Sequence, residues 1–205
     1  MFIRATRFEY APGSFDTLLA EYPGTLSAYE RLDGYIGAAV LANRGTNTGI
    51  SVTYWATAEA RQASEDAGTS IRNRVAANGL RMVDVDRMEL VTVERARPPQ
   101  SGNFIRTVDT RTSAGNVERV ISFARDRALG VVKQQPGFLA YLVGVNRETG
   151  RIVTSTVWES AEARDTTNPV LQGLLGELAQ LVAGADSKVE RWEGVYTSIK
   201  VPATP

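Results

Sequence analysis

Two eight-residue stretches of this chain are similar, "YWATAEAR" at 54–61 and "VWESAEAR" at 157–164. Other short matches keep the same order along the chain: "FIR" at 2–4 and 104–106, Gly34-Tyr35 and Gly137-Phe138, and "VDRMELV" at 85–91 with "VERWEGV" at 189–195. A single match of this kind would mean little, but an ordered series is typical of an internal repeat. The 205 residues are therefore predicted to be two copies of one folding unit.

Each repeat predicts the order β-α-β-β-α-β. In the first repeat, residues 2–10 alternate like a strand, and an apolar stripe of helical spacing follows, which Pro23-Gly24 is expected to kink or interrupt. Two apolar runs around a turn rich in Gly and Asn predict a hairpin. A second helix is predicted over 59–77 and a long closing strand over 81–94. The second repeat has the same order, and Asn168-Pro169 is expected to begin the main body of its second helix.

The predicted domains are residues 1–95 and 104–200, joined by a linker at 96–103 that is rich in Pro and polar residues. The strands "YIGAAVLA" and "FLAYLVGV" are almost apolar on both faces. Helices cover only one face of a β-α-β-β-α-β sheet, so its other face needs a partner. We therefore predict an α+β fold in which two tandem ferredoxin-like units form an internal pseudo-dimer. Further self-association stays open.

Composition excludes several classes of function. The 23 basic residues balance 23 acidic ones, so neither nucleic acid nor an anionic membrane is expected as a partner. No apolar run approaches the roughly 20 residues that span a bilayer, and the N-terminus lacks a signal peptide's apolar core, so a cytoplasmic location is predicted. The chain has no His and no Cys. Zinc sites of the usual kind, Ser-His-Asp triads and His-ligated haem are thereby excluded, and no metal is expected.

Both repeats resemble the antibiotic biosynthesis monooxygenase domain of the dimeric α+β barrel superfamily. The resemblance rests on Gly34-Tyr35 with the segment 55–60, "WATAEA", and on Gly137-Phe138 with the segment 158–163, "WESAEA". It implies an intramolecular dimeric α+β barrel. The superfamily includes oxygenases that oxidise polycyclic phenols or anthrones with O2 and need no cofactor. Its haem-degrading members use an axial His, which this chain lacks.

The resemblance implies a cofactor-independent monooxygenase that acts on a hydrophobic, polyketide-like or quinol-like aromatic molecule. The alternative is a non-catalytic small-molecule-binding or structural module of the same fold. Enzymes of the first kind need a dry pocket, a proton acceptor and a wall that stabilises an anion. A packed interior would favour the second.

Seven side chains are candidates for contact with a substrate, and each has a purely structural interpretation as well. The aromatic residues could wall a pocket or simply fill the core. The two arginines lie at equivalent places in the first strands, where an inward-facing guanidinium would stabilise an anion. Most strand arginines, however, point to solvent or pair with a neighbouring carboxylate. The candidates are Trp158, Tyr141, Phe138, Arg106, Trp55, Tyr54 and Arg4.

Two further pairs recur in the duplicated stretch. Glu59 and Glu162 are predicted in the first turn of a helix, where a carboxylate is favourable without any catalytic role. Arg61 and Arg164 follow two positions later and are predicted to be surface or interface residues. Because duplicated halves can divide their tasks, a working pocket is expected in the second half rather than the first.

Overall fold

The structure is a computed structural model that describes residues 1–77 and 79–200. They form two compact units. Unit 1 contains Met1–Met88, Pro99–Gly102 and the segment from Gly194 onward, and unit 2 contains Glu89–Pro98 and Asn103–Glu193. Among the described residues, no helix is both long enough and apolar enough to cross a membrane.

Unit 1 has the predicted order of elements. The elements are β1 (Phe2–Glu9), α1 (Phe15–Glu30), β2 (Tyr35–Asn43), β3 (Thr48–Trp55), α2 (Ala58–Ala63), α3 (Glu65–Ala77) and the first half of β4 (Arg81–Arg95). The prediction of one long second helix was wrong, since Ser64 separates α2 from α3. The expected interruption at Pro23 is absent, because buried residues on both sides of it, Phe15 and Leu26, pack the helix onto the sheet.

Unit 2 repeats this order with one irregular helix. After the second half of β4, its elements are β5 (Asn103–Arg111), a 3₁₀ turn (Ala114–Asn116), α4 (Val117–Ser122), a π-helix (Phe123–Ala128), α5 (Leu129–Val132), β6 (Phe138–Asn146), β7 (Arg151–Trp158), α6 (Ala161–Thr166), α7 (Asn168–Leu181) and the first part of β8 (Asp186–Thr197). Helix α7 begins at Asn168, as predicted.

Each unit is completed by a strand from the other half of the sequence. In unit 2, residues 89–95 of β4 pair antiparallel with β6. In unit 1, the backbone N–H of Ser198 donates to the Ala38 carbonyl at 2.8 Å. The hydrogen-bonded strand order is β1-β3-β2-β8-β5-β7-β6-β4, and it closes on itself. The predicted α+β barrel of two β-α-β-β-α-β units is therefore confirmed.

The core of each unit lies between its helices and one face of its sheet. In unit 1, Leu26 and Ile71 from the helices pack with Ala38 and Trp55 from the sheet. In unit 2, Val120 and Leu174 pack with Val143 and Trp158 in the same way. The apolar helical stripes in the sequence thus correspond to the buried helix faces.

The repeated sequence motif forms the corner between β3 and α2 in unit 1 and between β7 and α6 in unit 2. The Gly137 carbonyl accepts a hydrogen bond from the Glu159 N–H at 3.0 Å, and Gly137 has a positive φ of 76°. A Cβ atom at Gly137 would lie 2.5 Å from Cβ of Ala163. Unit 1 repeats this contact with Gly34 and Ala60. The Gly-aromatic pair and the "AEAR" stretch occur together because their backbones touch here.

Replacing Gly137 with Ala is expected to lower the free energy of unfolding by about 2 kcal/mol or more. An Ala at positive φ is strained by about 1 kcal/mol, and the close contact with Ala163 adds overpacking strain. Urea denaturation would measure the loss. Gly176→Ala is the control, because Gly176 is an exposed residue of α7 with open space around its Cβ position. Equal stability of the two variants would contradict the expectation.

Candidate functional site

Unit 2 encloses a cavity of about 70 Å³ between its sheet and helices. Most of its wall is apolar, with leucines of α7 on one side. Five of its polar lining residues come from the sheet: Arg106, Thr110, Tyr141, Thr154 and Thr156. Trp158 also lines this cavity.

Unit 1 has a corresponding cavity of about 80 Å³. Its wall holds more aromatic rings, and two of them, Tyr22 and Tyr29, come from α1. The Tyr22 hydroxyl shares a hydrogen bond with Ser51 at 2.7 Å. Burial, which is the main effect, raises the pKa of Tyr22 well above its usual range, so this phenol stays neutral.

Both cavities are small for a ligand site. A single water needs about 10–15 Å³ on a comparable measure, whereas pockets for drug-sized ligands span about 300–1,000 Å³. Each cavity therefore has room for a few waters or one small ring. A polycyclic ligand would need more space than either cavity has.

The break between the two short helices of each unit places hydrogen-bond acceptors beside the cavity. In unit 1 the break is at Ser64, whose hydroxyl donates to the Arg61 carbonyl at 2.7 Å. In unit 2 it is at Thr167, which donates to the Arg164 carbonyl at 2.6 Å. Both carbonyls also accept a hydrogen bond from the arginine of the first strand in their unit.

Arg4 in unit 1 is buried and paired with a carboxylate. Its Nε donates to Glu65 Oε1 at 3.2 Å, and its Nη2 lies 3.0 Å from the same oxygen. Nη2 also donates to Ser64 Oγ at 2.7 Å. Glu65 in addition binds Arg87, with Oε1 2.7 Å from Nε, and lies 3.7 Å from Arg72. Burial opposes ionisation of Glu65, but Arg87 and Arg4 outweigh it and lower its pKa to about 2.

Arg106 in unit 2 is equally buried, but its hydrogen bonds are all to neutral oxygens. Its Nη1 donates to Thr167 Oγ1 and its Nη2 to Asn168 Oδ1, both at 2.7 Å, in addition to the Arg164 carbonyl. Its Nε is buried and has no hydrogen-bond partner. Burial above all, with the nearby charge of Arg191, lowers the pKa of Arg106 to about 10, which keeps the side chain charged at neutral pH.

The two units therefore differ in where their carboxylate lies. Asn168 is the first residue of α7, as Glu65 is the first residue of α3. The acid of unit 2 is Asp165, which is 43% exposed and lies 3.9 Å from Arg106, beyond hydrogen-bonding distance. Hydrogen bonds from Arg164 and Arg191 lower the pKa of Asp165. Asp165 thus mainly pairs with those two arginines.

Tyr141 joins the cavity wall to the irregular helix. Its hydroxyl donates to the Ala124 carbonyl at 2.9 Å, and the same carbonyl accepts the Leu129 N–H in the wide π-helical turn. π-Helical turns often occur at functional sites. Burial raises the pKa of Tyr141 well above its usual range. Unit 1 has Ala38 at the equivalent place, so this tyrosine belongs to unit 2 alone.

The structure brings three of the seven predicted residues into the unit 2 cavity: Arg106, Tyr141 and Trp158. Phe138 lies behind them with its ring 6.1 Å from Trp158. In unit 1, Arg4 lines the cavity, whereas Trp55 fills the core with 0% exposure and donates to Thr53 at 3.0 Å.

Tyr54 is also buried, but it alternates with Trp55 along β3 and so lies on the sheet face opposite to the helices. The possibility that the two strand arginines point to solvent was wrong, since Arg4 is 2% and Arg106 is 3% exposed. Arg164, predicted to be a surface or interface residue, is not at the surface, because it is only 8% exposed.

The residues that distinguish the two sites, Glu65 and Asn168, were not singled out from the sequence. Comparing the halves position by position could have found them, because each lies four residues after an arginine of the repeated stretch, Arg61 or Arg164. Glu59 and Glu162 do lie in first helical turns, as predicted. Both helices are capped by a hydroxyl, with Ser160 accepting from the Ala163 N–H at 3.0 Å.

Comparisons with known proteins agree with this fold. An uncharacterised protein of Mycobacterium tuberculosis is 24% identical over 203 residues, which cover 98% of this chain and 91% of that protein. The crystal structure of an anthrone oxidase-like protein matches with a TM-score of 0.72 and 14% identity, covering 100% of this chain and 96% of that one. A candidate monooxygenase from Fusobacterium nucleatum matches with a TM-score of 0.71 and 10% identity, covering 97% and 94%.

One family model matches part of the sequence. Residues 103–166, which run from β5 through α6, match the family model of the antibiotic biosynthesis monooxygenases. The structural matches extend the likeness in fold to the whole chain. The match to this family lies within the second repeat, and the first repeat is a second copy of the same fold.

Proposed function

We propose that the protein is a cofactor-independent monooxygenase whose substrate, a hydrophobic quinol-like aromatic molecule, binds in the unit 2 cavity. The main support is the buried Arg106, a cation with a free Nε in an otherwise largely apolar wall. Such a donor is preorganised to stabilise negative charge on a substrate, and a low-dielectric site strengthens that interaction. The leucines and Trp158 supply the apolar contacts for an aromatic ring.

The proposed reaction needs only the substrate and O2. The substrate loses two hydrogen atoms and gains one oxygen atom, and the other oxygen atom leaves as water. A hydroquinone would thus give a hydroxyquinone, and an anthrone would give an anthraquinone. The electrons that reduce O2 come from the substrate, and an electron-rich phenolate donates them more readily than the neutral phenol. Arg106 would hold that phenolate in place.

The size of the cavity supports a single-ring substrate over a polycyclic one, and it also supports the alternative function. A space of about 70 Å³ is far below the usual range for ligand pockets. A non-catalytic module of this fold would keep its interior filled by its own side chains. Measurements of turnover distinguish the two functions.

Oxygen consumption with a panel of hydroquinones and anthrones tests the proposal. We expect uptake above the uncatalysed rate for at least one single-ring hydroquinone. Arg106→Met is expected to lower kcat/KM by about 100-fold, which is the size of effect seen when a preorganised donor to a developing anion is removed. Circular dichroism would show that this variant is folded.

Arg147→Gln is the matched control, because it removes an arginine of the same unit that pairs at the surface with Glu118 and Glu89. Its turnover should equal that of the wild type. Absence of catalysed uptake for every substrate in the panel would reject the monooxygenase and leave the non-catalytic module.

A further inference from the structure

We infer that the unit 2 cavity selects ligands that are already ionised, binding the phenolate oxygen of a single aromatic ring at Arg106 Nε, and that unit 1 has lost this site. The inference rests on the proposed use of the unit 2 cavity as the ligand site. It does not depend on oxidation, and it therefore has a test of its own.

Of the three guanidinium nitrogens of Arg106, only Nε makes no hydrogen bond. Its side chain is only 4% exposed, and its two terminal nitrogens are occupied by Thr167, Asn168 and the Arg164 carbonyl. Nε is buried and has no partner. An unpaired donor of a buried cation costs free energy, which an anionic oxygen would recover as a charge-assisted hydrogen bond.

The cavity has no group suited to removing a proton from the ligand. Its only titratable lining residues are Arg106 and Tyr141, among the described residues that border it. Arg106 is already protonated, and the Tyr141 hydroxyl donates to Ala124 and stays neutral because of its burial. A weakly acidic ligand must therefore lose its proton to water before it enters. Binding then favours rings that ionise near neutral pH.

Unit 1 has the same arginine but its charge is used within the protein. Glu65 occupies the place of Asn168 and accepts a hydrogen bond from Arg4 Nε. The corresponding atom of Arg106 has no partner. Arg72 Nη1 is also without a partner in unit 1, but the Arg72 side chain is 17% exposed and lies beside Glu65. The carboxylate makes the unit 1 cavity a poor site for an anion. The difference between Glu65 and Asn168 thus decides whether the arginine Nε has a carboxylate partner.

Binding of 4-nitrophenol to the full chain tests the inference, because its phenolate absorbs visible light and the neutral phenol does not. We expect one molecule bound per chain, with the bound phenol titrating roughly 1–3 pH units below the free phenol. Once the free phenol is fully ionised, the affinity should stay constant with pH, because Arg106 remains charged. An uncharged ring of similar size, nitrobenzene, should bind at least about tenfold more weakly.

Asn168→Glu is the decisive variant, because it copies the arrangement that unit 1 already contains. A glutamate there begins helix α7, where a negative charge is favourable, so the variant should fold. We expect its affinity for the phenolate to fall about tenfold or more while nitrobenzene binding is unchanged. Gln172→Glu is the matched control, since it adds the same charge at an exposed position of the same helix. Its phenolate affinity should equal that of the wild type.

Three results would overturn the inference: preferential binding of the neutral phenol, two equivalent sites per chain, or equal affinities of the Asn168→Glu and Gln172→Glu variants. The proposed oxidation fails independently. If the phenolate binds as expected but no hydroquinone is oxidised, the anion site stands and the monooxygenase is rejected. If oxygen is consumed but the charged and uncharged rings bind equally well, the monooxygenase stands and the anion site is rejected.

Discussion

Replacing Trp158 with Ala is expected to lower the free energy of unfolding of unit 2 by about 3–5 kcal/mol, as is usual for truncation of a large buried aromatic residue. Trp158 is 1% exposed, and its indole N–H donates to Thr156 Oγ1 at 2.9 Å. The truncation would enlarge the adjoining cavity and leave the Phe138 ring without its edge contact. Chemical denaturation monitored by far-UV circular dichroism would measure the loss.

Trp158→Phe should lose much less stability, because it retains an aromatic ring in the core. Val83→Ala is the control, since Val83 is 45% exposed and its truncation should change the free energy of unfolding by no more than about 0.5 kcal/mol. A loss below about 1 kcal/mol in Trp158→Ala would mean that the helices collapse onto the vacated space.

Replacing Glu65 with Gln is expected to destabilise the protein at neutral pH by on the order of 3 kcal/mol and to change its acid sensitivity. The pKa of Glu65 is about 2 in the folded protein, below its ordinary value of 4.5. The ionised carboxylate therefore stabilises the fold fully above about pH 4.5, and this contribution is lost as the pH falls toward 2. The variant should lack this part of the pH dependence.

Denaturation curves collected at several pH values between 7 and 2 would show whether the two proteins converge at low pH. Asp16→Asn is the matched control, because Asp16 pairs with Arg44 at the surface and is 75% exposed. Such exposed pairs contribute little, so this variant should follow the wild type. A constant difference between wild type and Glu65→Gln at every pH would contradict the role of the charge.

Most of the fold could be predicted because it depends on local patterns. The repeated stretch, the apolar periodicity and the hairpin turns are all properties of neighbouring residues, and the duplication let each half support the interpretation of the other. The main error in the fold concerned a helix break that involves a distant residue. The break at Ser64 is determined by a long-range hydrogen bond, since the freed Arg61 carbonyl accepts from Arg4 across the unit. Within residues 58–77, the only local sign of the break is Ser64 followed by two acidic residues, a pattern typical of a helix start.

The candidate site was only partly predictable. Position in a strand does not tell whether an arginine points inward, and the usual exposure of arginine argues for solvent. Burial of Arg4 and Arg106 becomes favourable only when the helix break supplies acceptors that are 57 and 58 residues away in the chain. Asn168 matters because its side chain accepts a hydrogen bond from Arg106, and no sequence motif indicates this.

The sequence by itself determined the duplication, the order of strands and helices, and the family resemblance, because these are written in periodicity and in short matches between the halves. Tertiary structure decided which residues enclose a cavity and which of the two arginines has a carboxylate partner. The physical reason is that the effect of a buried charge depends on every group within a few ångströms of it. In this chain those groups come from a strand and from a helix break more than 50 residues apart.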